Sequence, residues 1–115
     1  MPIDYLSLGT TLDHQPAANT AAVVTLTAPS NHPPGSAWIM GGLAWSYDDN
    51  PTGGNLSITN GGTTAFSIDI TRGGAGIIVY QQPQRADDGA AVVVTLAAGG
   101  AGITGKVNVL GARVI

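Results

Sequence analysis

Cysteine is absent from the 115 residues, which excludes disulfides and thiolate metal sites. Charge is scarce: 10% of residues are Asp, Glu, Lys or Arg, where about 25% is usual. Only Arg72, Arg85, Lys106 and Arg113 are basic, they are scattered, and the net charge is −3. Binding to nucleic acid needs clustered cations, so it is excluded as a role. The opening MPIDYLSLG has no basic start and no apolar core, so no secretory leader is expected. No apolar run approaches the ~18 residues of a membrane span, and synthesis in the cytoplasm is expected. Helical periodicity is also missing, because Gly or Pro interrupts every candidate window. Disorder is excluded by a hydrophobic content of 43% with so little charge.

What remains is a β pattern. Seventeen glycines and seven prolines punctuate short runs rich in Val, Ile, Thr and aromatics. Residues 19–29 read as a strand with Ala22, Val24 and Leu26 on one face. Residues 36–47 read as a second, with Ile39, Leu43, Trp45 and Tyr47 on one parity and Trp38, Met40 and Ala44 on the other; Gly41-Gly42 marks a bulge or a close approach of backbone. Residues 54–60 and 64–70 alternate on either side of Asn60-Gly61-Gly62-Thr63, a hairpin, with Leu56, Ile58, Phe66, Ile68 and Ile70 inward. Further strands are expected at 77–80, at 90–98 and at 103–115 (as one strand or two), with another in DYLSL near the N-terminus; QQPQRADDG reads as a polar connector. About seven or eight short antiparallel strands make an all-β sandwich, of jelly-roll or Ig-like type. Residues 1–19 are expected to form an extended arm and 20–115 the sandwich.

The polar clusters are best explained as turns. In Asp48-Asp49-Asn50-Pro51-Thr52-Gly53-Gly54, Asp and Asn start turns, Pro fixes φ and Gly ends them. Asp48, Asp49 and Asn50 are also the candidate calcium ligands, but the alternating spacing of the twelve-residue calcium loop is missing. Asp87-Asp88-Gly89 is a second acidic turn that would share a cation only if both loops met at one end of the sandwich. His14 and His32 have no second ligand at metal spacing. No nucleophile elbow appears, and neither GGAG is followed by a phosphate-loop helix. The chain is therefore expected to be neither an enzyme nor a cofactor protein. Trp38, Trp45, Tyr47 and Tyr80 read mainly as core, with some available to a subunit interface.

The stretches GGLAWSYDDNPTGGNLSITNGGTTAFSIDIT, GAGIIVY and VVVTLAAGGAGITGKVNVLG resemble small β-sandwich virion proteins of tailed bacteriophages, of the capsid decoration or cement type. The resemblance covers more than half of the chain and consists of turns and strands rather than a chemical site. It implies a non-catalytic subunit on the capsid surface, with the major capsid protein and other copies of itself, as a dimer or trimer, for partners. Small neutral surfaces suit such contacts, since no ion has to be desolvated. The expected contact residues are Ile3, Tyr5, Leu6, Leu8 and Leu12 of the arm, together with Trp38. The alternative is a receptor- or carbohydrate-binding module of a tail or head fibre, using exposed aromatics.

Overall fold

The computed structural model describes residues 12–30 and 32–115. They form nine strands and, among the described residues, no helix: β1 (Asp13–His14), β2 (Ala22–Leu26), β3 (Trp38–Tyr47), β4 (Gly54–Asn60), β5 (Thr63–Ile70), β6 (Gly74–Arg85), β7 (Val92–Leu96), β8 (Gly105–Leu110) and β9 (Arg113–Val114). One sheet runs β1-β8-β3-β6, with β9 also on β3; the other runs β2-β7-β4-β5. All pairings are antiparallel. β1 pairs with β8, β2 with β7, β3 with β6 and β4 with β5. A long hairpin rolled up on itself gives this order, so the sandwich is a jelly roll rather than an Ig fold.

Alternation builds the core. Ala22, Val24, Leu26, Leu56, Ile58, Val92, Val94, Leu96, Val107 and Val109 are buried between the sheets, each from an every-second position of its strand. The expected hairpin is present: Asn60 pairs with Thr63 across Gly61 (φ 60°) and Gly62 (φ 87°), both in the left-handed region that glycine adopts without strain.

Strand β3 departs from simple alternation. Met40 pairs with Gln84 but Gly42 pairs with Val79, so Gly41 alone spans the interval that Tyr80 to Pro83 fill on β6. Across this irregularity the inward parity switches. Trp38 and Met40 face the core on one side, and Leu43, Trp45 and Tyr47 on the other. Ile39 is buried but lies outside that layer, contrary to the shared parity expected for it. The register with β6 shifts there by three residues, an odd number, which exchanges the two faces beyond it.

Three other expectations change. QQPQR is the end of β6 rather than a connector; Pro83 is tolerated because β6 is an edge strand and the proline sits in the bulge. Ile68 pairs with the buried Leu56 yet is 41% exposed, because β5 is the last strand of its sheet and no other described strand lies over it. Residues 12–19, assigned to the arm, include β1, and Asn19 N–H donates to the Ile103 carbonyl at 2.8 Å, so this stretch lies on the sandwich. DYLSL lies outside the described residues.

The close approach at Gly42 gives a test. A Cβ there would stand 2.2 Å from the Ile78 carbonyl oxygen, which is backbone and cannot rotate away. Gly42→Ala should therefore push β3 and β6 apart and lower stability by about 1–3 kcal/mol or more in denaturant unfolding.

Candidate functional site

The acidic corner after β3 is a joint. Asp48 Oδ1 accepts from Thr104 N–H at 2.8 Å while Asp48 N–H donates to the Thr104 carbonyl at 3.0 Å. Asp49 Oδ1 accepts from Asn50 N–H at 2.7 Å, and Asn50 Oδ1 accepts from Gly73 N–H at 2.8 Å. Each side-chain oxygen named is directed at a backbone donor, as in Asx turns. Together they clamp the β3–β4 corner to the loops before β8 and β6. The second acidic turn holds another joint. Asp88 pairs with Arg85 at 2.6 Å, Arg85 also donates to the Gly35 carbonyl, and Asn60 Oδ1 accepts from Asp87 N–H at 3.0 Å.

The two acidic loops do not meet. Tyr47, next to Asp48, pairs with Gly74 at one end of β6, whereas Arg85, next to the Asp87-Asp88 turn, pairs with Ile39 at the other end. Most of the length of β3 separates them. No group of three or more His, Cys, Asp or Glu poised for a metal occurs among the described residues. His14 Nδ1 accepts from Val23 N–H at 2.9 Å and so ties β1 to β2 across the two sheets. His32 is exposed in a loop.

Tyr47 is 1% exposed and donates its hydroxyl to the Ala97 carbonyl at 2.6 Å, joining the two sheets. Burial pushes its phenol above the ordinary value of 10.0, partly offset by the Asn55 backbone; burial raises Tyr80 likewise. Trp45 lies across its partner Gly76, where a Cβ would fall 2.2–2.8 Å from the indole ring. A tryptophan covering a cross-strand glycine has a structural job. Trp38 donates Nε1–H to the Thr27 carbonyl at 2.7 Å and packs on the core. Leu12 packs on the core as well, while Ile3, Tyr5, Leu6 and Leu8 lie outside the described residues.

The sandwich is therefore closed on one side and open on the other. His14, Asn19 and Trp38 tie the sheets together around β1 and β2. Between β5 and β6 the sheets part, leaving a cleft of about 210 Å³ whose walls include Trp38, Met40, Phe66, Tyr80 and Gln84. Beside it, Ile77 and Val79 on the outer face of β6 are 64% and 69% exposed. The sequence reading did not pick out these two aliphatics. The available signal was the lack of any Asp, Glu, Lys, Arg or His from Gly73 to Gln84.

No protein-family profile matches the sequence. No curated protein sequence matches it either. Among solved structures, the chain is similar to PirA, with a TM-score of 0.47, 12% identity, and coverage of 91% of this chain and 99% of PirA. It is also similar to the C-terminal CBM6 of LamC, a marine laminarinase from Zobellia galactanivorans (TM-score 0.42, 13% identity, 93% and 90% coverage). A third likeness is to the virus-like particle of the extra small virus of the giant freshwater prawn Macrobrachium rosenbergii (TM-score 0.35, 12% identity, 99% and 88% coverage). Likeness of this order assigns no ligand, partner or activity.

Two measurements follow from these joints. Asp48→Ala should cost about 0.5–1.5 kcal/mol while Asp48→Asn, which keeps an acceptor for Thr104, retains most of the stability; a calcium ligand would instead make both variants lose a calcium-dependent rise in Tm. Tyr47→Phe should cost a similar ~0.5–1.5 kcal/mol at neutral pH. The folded state holds the Tyr47 proton more tightly than the unfolded chain. That contribution is complete below about pH 10 and is lost as pH rises through the raised value, so the gap between Tyr47→Phe and wild type should narrow in alkaline unfolding curves.

Proposed function

We propose that this chain is a structural subunit of a phage particle, a decoration or cement protein that stabilises the head by binding major capsid protein subunits. It has no catalytic role in this reading, and its place is the capsid surface of the virion. The observation that carries the proposal is the nature of the surface. A nearly uncharged sandwich keeps its named acidic and amide side chains for its own loop joints and exposes Ile77 and Val79 on an edge strand. The bacteriophage resemblance of the strand-and-turn pattern points the same way. Stabilisation would come from mass action: surface buried against the shell favours the assembled state over the dissociated one. Contacts of ~1,200–2,000 Å² each would suffice.

A second reading, a carbohydrate- or receptor-binding module, is favoured by one observation, the cleft beside Trp38, Phe66 and Tyr80. It predicts glycan-array binding that is lost in Tyr80→Ala with the fold intact.

Mass spectrometry of purified particles decides the first reading. The expected result is a copy number comparable to that of the major capsid protein, and heads lacking the protein should rupture at lower temperature. Absence from the particle, or a few copies only, overturns it.

A further inference from the structure

A sandwich has four free strand edges, each a row of unpaired backbone groups that invites another strand unless something blunts it. Three of the four are blunted in this fold. β1 is two residues long. β2 has its Val23 N–H taken by His14 Nδ1. β5 carries a charge, Asp69, whose carboxylate accepts from Asn55 at 3.0 Å and would stand beside any added strand.

Among the described residues, β6 has no such device along its regular half. From Gly74 to Val79 it pairs without interruption with Tyr47 to Gly42. Pro83 and the bulge come only afterwards. Ile78 pairs with the buried Leu43 and so faces the core side, which puts Ala75, Ile77 and Val79 on the outer face. Ile77 and Val79 are the most exposed large aliphatics among the described residues. No charged side chain or histidine lies between Arg72 and Arg85.

We propose that the β6 edge is the contact surface for a second copy of this chain, joined antiparallel about a two-fold axis so that the two β1-β8-β3-β6 sheets become one. Neutrality selects this occupant. About a two-fold axis each residue faces one the same distance beyond the axis, so the edge must match itself, and residues 73–84 carry no charge to be desolvated against a second copy. Antiparallel pairing also sends Arg72 of each copy away from Arg72 of the other. The joined outer face brings the four exposed aliphatics, Ile77 and Val79 from each chain, into one patch. Uncapped backbone donors and acceptors gain partners in the same step.

The inference does not rest on the capsid reading and is tested on the purified protein alone. Light scattering after size exclusion should give a mass twice the 11.5 kDa of the chain. Ile77→Lys, at a site exposed in the isolated subunit, should halve that mass with circular dichroism unchanged. If Ile77→Lys does not fold, amide exchange of the wild type replaces it, and protection of residues 74–79 should rise with protein concentration. A wild type that stays monomeric, an odd-numbered oligomer, a lysine variant that keeps the wild-type mass, or exchange at 74–79 that ignores concentration overturns the proposal.

Discussion

Two sheets must each present one unbroken apolar face to the other, and the rest of this molecule is arranged around that constraint. Most strands meet it by simple alternation, as in Val92, Val94 and Leu96 of β7. β3 keeps one register with β8 and β9 but changes register with β6. It meets the constraint by switching parity at Gly41-Gly42, so that Met40 and Leu43 both reach the layer. The bare Cα of Gly42, against the Ile78 carbonyl, lets the chain pass through the switch. Tyr47 closes the same layer at the far end of β3, with its hydroxyl satisfied by the opposite sheet.

The second organising feature is how few ionic and amide groups there are and where they are used. Asp48 and Asn50 fasten one set of loops, and Arg85, Asp88 and Asn60 fasten those at the other end of β3. Exposed ion pairs of the Arg85–Asp88 kind contribute little stability each, of order 0–1 kcal/mol. Their value lies in geometry: they hold the turns in place. With these groups engaged at loop joints, the β6 edge is left neutral and aliphatic. The β1/β2 side is then tied by hydrogen bonds between the sheets, whereas the β5/β6 side carries the cleft and the exposed Ile77 and Val79.

The strand-and-turn plan was legible in the residues because its signals are local. Alternation in Ala22–Leu26 and Gly54–Asn60, the Asn60-Gly61-Gly62-Thr63 hairpin and the turn character of Asp48-Asp49-Asn50 each depend on neighbours a few positions away. The partners of that acidic corner were not legible. Thr104 lies 56 residues from Asp48, and Gly73 lies 23 from Asn50. The same holds for Ile39, Ile68 and QQPQR, whose environments depend on the cross-strand bulge and on which strand ends a sheet.

By itself, then, the sequence determined an all-β chain without thiols, with few and scattered basic residues and with turns where its glycines, prolines and asparagines fall. Only the tertiary structure decided between jelly roll and Ig-like order, placed the acidic loops at opposite ends, and exposed Ile77 and Val79 beside an open cleft. The physical reason is that side-chain alternation is written within each strand. Which strand lies beside which is settled by non-local hydrogen bonding and by the shared core, to which every strand contributes only a part.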